Sequence, residues 1–139
     1  MKNVLSYIGV SAAALILFGS QSVQAQDAAK ADIPFSFHTK VATYERGTYT
    51  VRAQNSNSAP LLLVNDDTRH ATFVGAPILL DPTPKTNARG PAMVFKCAQG
   101  SCTLTEVWTA SQGYLISHSP VLDEEATTTR IVALVRAAR

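Results

Sequence analysis

Few residues in this chain of 139 carry reactive side chains. Glu106 is the one that departs from its surroundings. On an extended strand it shares a face with Leu104 and Trp108, while Thr103, Thr105, Val107 and Thr109 point the other way. If Cys97 faces Cys102 across a hairpin, a regular ladder sets Phe95 opposite Leu104 and Met93 opposite Glu106. A carboxylate then lies among Met93, Leu104 and Trp108, with Phe95 beside them. Such a group needs a cationic partner, for instance Arg52, or its pKa rises, and perturbed carboxyls gather at functional sites. The plainer alternative places this face at the rim, with Glu106 reaching water beside a partly exposed indole.

Cys97 and Cys102 bracket Ala98-Gln99-Gly100-Ser101, which carries a glycine turn signal. The spacing is C-x-x-x-x-C, whereas a thioredoxin-like site needs C-x-x-C and a zinc site needs further ligands. A structural disulfide is therefore expected, and it would form in an oxidising compartment. His38, His70 and His118 are far apart in sequence, with no spacing that sets two on one face. Solvated or core-edge histidines are the expectation. Ser117-His118-Ser119 places hydroxyls beside an imidazole, but neighbours on a strand point to opposite faces. No G-x-S-x-G elbow supports a serine hydrolase. Asn65-Asp66-Asp67-Thr68 lacks the glycine and ligand spacing of an EF-hand loop, and an Asx turn accounts for it. No cofactor motif is present, so no cofactor or metal is expected.

The elements that must hold these residues read as strands. Apolar side chains recur with period two at Ile33, Phe35 and Phe37, and again at Tyr49, Val51 and Ala53. Pro34 cannot donate to a ladder, so its strand is expected at an edge or starting at the proline. Leu61-Leu62-Leu63-Val64 is a continuous apolar run, suited to a strand covered on both sides. Asn55 to Pro60 and Asn65 to Thr68 are turns, and Ala71 to Ala76 is the strand after the second. Leu80 to Pro91 holds three prolines and a glycine and is expected as a long irregular loop. Ala92 to Cys97 and Cys102 to Ala110 make the clearest hairpin. Tyr114 to His118 follows the Ser111-Gln112-Gly113 turn. Asp123-Glu124-Glu125 would cap a helix running to Ala138, yet Thr127 to Val132 is dense in β-branched residues. A strand from Thr128 to Val135 is preferred. The fold class is all-β: a small antiparallel sandwich or barrel of about seven or eight short strands, with a C-terminal strand or short helix.

Residues 1–25 read as an address. A short positive start is followed by the eleven-residue apolar run Ile8–Phe18, then Gly19-Ser20 and the small-residue site Val23-Gln24-Ala25. That is secretory signal-peptide anatomy, with cleavage expected after Ala25. The run falls short of the roughly 20 residues of a spanning helix, so no membrane span is expected after cleavage. Residues 26–32 read as a flexible lead and 33–139 as a single β domain. The formal charge of +2, one less without Lys2, carries no basic cluster and excludes the usual footprint of a nucleic-acid binder.

Several patches occur together: Ile33-Pro34-Phe35-Ser36-Phe37, Gly47-Thr48-Tyr49-Thr50-Val51, Leu61-Leu62-Leu63, Val94-Phe95 and Glu106-Val107-Trp108. Across Ile33 to Tyr114 the chain resembles a family of short exported bacterial proteins, abundant in acidobacteria and without an assigned activity. Its members read IPFxF, then LPAGxYxV, then VFxxYG and FLxxIW. This chain departs at Glu45-Arg46-Gly47 and in carrying Cys97 and Cys102. The resemblance implies an all-β domain and export, and brings no catalytic residue.

Three functions are consistent with these readings. A non-catalytic exported β domain would work through contacts with an envelope protein. A carrier would hold a small apolar ligand or lipid in a barrel lined by Phe95, Met93, Glu106 and Trp108. A hydrolase would need a histidine within about 3 Å of a carboxylate or hydroxyl.

Overall fold

A computed structural model describes residues 28–53, 61–75, 77–117 and 126–137. The leader, the 55–60 turn, His118 and the acidic residues 123–125 lie outside them.

The chain opens with β1 (Ala28–Ile33), β2 (Phe37–His38), β3 (Thr43–Tyr44) and β4 (Gly47–Ala53). Next come β5 (Leu61–Asn65), β6 (Ala71–Phe73), β7 (Ile78–Leu80) and the helix α1 (Pro84–Arg89). The hairpin β8 (Ala92–Ala98) and β9 (Ser101–Trp108) leads to β10 (Gly113–Leu115), β11 (Thr128–Ala133) and β12 (Val135–Arg136). One sheet runs β12-β1-β4-β5-β6 and the other β11-β8-β9-β10-β7, with β2 joined in parallel to β9 and antiparallel to β3. The two sheets pack as a sandwich, not a closed barrel.

More strands form than the sequence indicates because the chain repeatedly crosses between sheets and splits a single apolar run in two. Pro34 makes one such break. Lacking an N–H and holding a fixed φ, it ends the ladder after Ile33. Phe37 then pairs with Tyr44 in the opposite sheet. Leu134 makes another break, between β11 in one sheet and β12 in the other. The C-terminal segment is thus strand rather than helix, as its β-branched content favours.

Residues 28–32 are not a flexible lead. They lie between β4 and β12, with Ala29 opposite both Val51 and Arg136. Ala31 and Ile33 are buried, and small alanines fit a strand flanked on both sides. Leu61–Val64 is covered on one side only: Leu61 and Leu63 are buried, whereas Leu62 and Val64 are half-buried. Within Leu80 to Pro91 the prolines do not keep the backbone irregular. Pro84 takes the first helical position, where its missing N–H costs nothing. Thr83 caps α1 by accepting from Thr86 N–H, and Thr86 Oγ1 accepts from Thr83 N–H at 2.8 Å.

The core lies between the sheets. Phe37 is its centre, stacked on Tyr44 at 4.9 Å and edge-on to Tyr49 at 5.4 Å and Phe95 at 5.2 Å. Ile33, Val51, Leu61 and Leu63 face it from one sheet, and Met93, Leu104 and Val107 from the other. Offset and edge-to-face rings contribute beyond the area they bury.

Candidate functional site

β8 and β9 meet through a two-residue turn. Gln99 and Gly100 both have positive φ, 52° and 76°, as a type I′ turn requires. Ala98 and Ser101, expected inside the loop, therefore pair as part of the ladder. Cys97 and Cys102 are the next pair, with Cα atoms 4.0 Å apart and a disulfide between them. Both are buried and pack into the core.

From that turn the register holds as far as Phe95 opposite Leu104, then slips. Val94 pairs with Glu106 and Met93 with Val107, leaving Thr105 without a partner on β8. This β-bulge turns the strand's faces over. Thr105 is buried, and its hydroxyl donates to the Val94 carbonyl at 3.0 Å. Its own carbonyl accepts from Ile116 N–H at 2.7 Å and Ser117 N–H at 3.3 Å. Ser117 Oγ donates to the Leu104 carbonyl at 2.8 Å. The carbonyls of Val94, Leu104 and Thr105 around the extra residue thus all have donors.

The bulge corrects the expected clustering. Met93 and Phe95 sit in the core at 0 % exposure, between the sheets. Glu106 and Trp108 share the opposite, outer face, without Leu104. Trp108 Nε1 donates to Glu106 Oε2 at 2.7 Å, so the carboxylate serves the indole rather than a buried cation. Arg89, in the last turn of α1, lies over the Trp108 ring at 5.9 Å. Arg52 is on the other sheet, opposite Ala28 and Leu62. The four residues expected to line a ligand cavity are divided between two faces of one sheet.

The interior where a carrier would place its ligand is filled by Phe37, Phe95, Met93 and Leu104. A cavity of about 120 Å³ is lined by Ala28, Ala29, Pro91, Ala110, Leu134 and Arg136. A second, of about 70 Å³, lies between α1 and Trp108. Ligand pockets run from about 300 Å³ upward.

The structure brings together one group that sequence spacing did not. His38, half-buried on β2, places Nε2 at 2.8 Å from Thr103 Oγ1 and Nδ1 at 3.3 Å from Ser101 Oγ. The one-residue parallel bridge between His38 and Thr103 sets this geometry. A general base needs a nucleophile on one nitrogen and an orienting acceptor on the other. Here both nitrogens meet hydroxyls, and no carboxylate orients the ring among the described residues. The imidazole fastens β2 to β9. His70 is exposed, its Nδ1 at 3.3 Å from Thr72 Oγ1.

Asn65 forms the expected Asx turn, with Oδ1 accepting from Asp67 N–H at 2.9 Å and Thr68 N–H at 3.0 Å. Asp66 turns instead onto the sheet. Lys30 Nζ donates to it at 2.6 Å and Thr50 Oγ1 at 2.6 Å. These hydrogen bonds, Lys30 first, hold its carboxyl below the ordinary range. Among the described residues no three His, Cys, Asp or Glu side chains gather where a metal could bind.

No protein-family model, curated protein or solved structure matches the chain. The geometry therefore carries the functional reading.

Proposed function

We propose that the chain is an exported, non-catalytic β-sandwich that works through surface contacts in the cell envelope. The observation that carries this reading is the Cys97–Cys102 disulfide, buried in the core beside the hairpin turn. Such bridges form and persist in oxidising compartments, the destination expected from the signal-like sequence of residues 1–25. The resemblance to short exported acidobacterial proteins agrees. A packed interior, a carboxylate committed to an indole and a histidine committed to two hydroxyls all favour contact-making over turnover. They also count against the carrier, whose ligand would need the volume that Phe37, Phe95 and Met93 occupy.

The test is to express the full chain in a Gram-negative host and recover it from the periplasm. The recovered protein should begin at Gln26, and reduction should raise its mass by about 2 Da. A cytosolic protein retaining Met1, or one whose mass is unchanged by reductant, overturns the reading.

A further inference from the structure

The four strands at the lateral edges of the sandwich are unequal. β12 has two residues, and β6 and β7 have three each. Very short edges are a normal protection against pairing with another chain. β11 has six residues, and among the described residues its outer edge has no partner. Its sequence, Thr128-Thr129-Arg130-Ile131-Val132-Ala133, has no proline, no lysine and no acid, and Arg130 is its only charge. It pairs with β8 without a bulge. Its one charge is drawn aside, since the Arg130 guanidinium lies over the Phe35 ring at 4.9 Å. Ile131, on the outer face opposite Val94, is 51 % exposed.

We propose that β11 is a dimerisation edge. Two copies pair their β11 strands antiparallel about a two-fold axis at Ile131, and the β8-containing sheet continues from one copy into the other.

The partner follows from how β11 meets itself. A two-fold axis perpendicular to the sheet keeps both inner faces on one side, so residues of like orientation must oppose each other. An axis at position 130 would set Arg130 against Arg130, which like-charge repulsion disfavours. An axis at 131 sets Ile131 against Ile131, Thr129 against Ala133 and Arg130 against Val132. No like charges meet, and the exposed isoleucine acquires an apolar partner. Two-fold homodimers are the commonest assemblies, and their interfaces are self-complementary in this way. One strand edge is small beside the roughly 800 Å² per partner of a stable complex, so the dimer should be weak and dependent on concentration. The inference rests on the contact-making role and supplies its partner. Its failure would leave the Gln26 terminus and the mass shift untouched.

Sedimentation of the purified protein over a dilution series should show the mass doubling at high concentration. Ile131→Asp, which opposes two carboxylates at the axis, should remain monomeric with an unchanged circular dichroism spectrum. Mild oxidation of Ile131→Cys should give a covalent dimer, because opposed Cα atoms in an antiparallel pair lie about 4.5–5.5 Å apart, within disulfide range. Thr129→Cys should not cross-link, since the two copies of residue 129 would be staggered by about 14 Å. A monomer at every concentration overturns the proposal. So does equal cross-linking of the two cysteine variants, which would indicate unregistered contact, and so does dimer formation that Ile131→Asp leaves intact.

Discussion

Gly113 lies directly opposite Trp108, and the indole ring covers the place where a side chain at Gly113 would stand. A Cβ there would run into Cζ3 of the ring, with Cε3 at 2.6 Å and Cη2 at 2.7 Å. The ring N–H donates to Glu106 and the Arg89 guanidinium lies over the ring, so displacing it would disturb both contacts.

Gly113→Ala should therefore destabilise the fold by about 1–3 kcal/mol, the usual cost of overpacking. Trp108→Ala should remove most of that penalty, because the obstructing ring is gone. Urea unfolding of the two single variants and the double variant gives the coupling. Additive effects would show that the ring and the glycine are independent.

Removing the Cys97–Cys102 bridge closes off a small term. On the chain-entropy model so short a loop contributes about 2 kcal/mol. A Cys97→Ala/Cys102→Ala variant should lose roughly that amount and keep its strand spectrum, since the type I′ turn and the register do not depend on the bridge. Complete unfolding of the variant would show that the disulfide sets the hairpin.

The histidine bridge orders two substitutions. His38→Ala removes a 2.8 Å and a 3.3 Å hydrogen bond and should cost about 1 kcal/mol. Ser101→Ala removes only the longer contact and should cost less. A shift in urea midpoint larger for Ser101 than for His38 would reverse the assignment.

Stability should decline at both ends of the pH range. The Asp66 carboxyl is held below its ordinary value by its hydrogen bonds to Lys30 and Thr50. A depressed folded value means that its contribution is full above the unfolded carboxyl pKa of about 3.9 and is lost as pH falls through the lower folded value. Lys30 is substantially exposed, so water screens the pair to below about 1 kcal/mol. Burial raises the Tyr49 and Tyr114 hydroxyls above their ordinary value. Their contribution is full below about pH 10 and is lost as pH rises through the folded values. Melting temperature against pH should show both limbs, and Asp66→Asn should flatten the acid limb alone.

The alternation of Tyr49 and Val51, the glycine in the Ala98–Ser101 loop and the β-branched run after Thr127 were enough to read an all-β fold with a cross-strand disulfide. The Glu106 environment was not readable from a constant period of two. A signal was nonetheless present: the apolar residues of β9 that enter the core run Cys102, Leu104, then Val107, so the spacing changes from two to three where Thr105 bulges. The strand at Ala28–Ile33 was hidden because alanines give little apolar contrast and its partners lie far along the chain. The His38 group was hidden for a related reason. A single bridge between β2 and β9 brings together residues about 65 positions apart, and no local spacing encodes it.

Ala29 on β1 lies opposite Arg136 on β12. That border of the sheet can form only after residue 136, more than 100 positions beyond β1, has been synthesised. A nascent or truncated chain that stops short of Val135 would present β1 with one side bare, so β12 reports whether synthesis has passed that point.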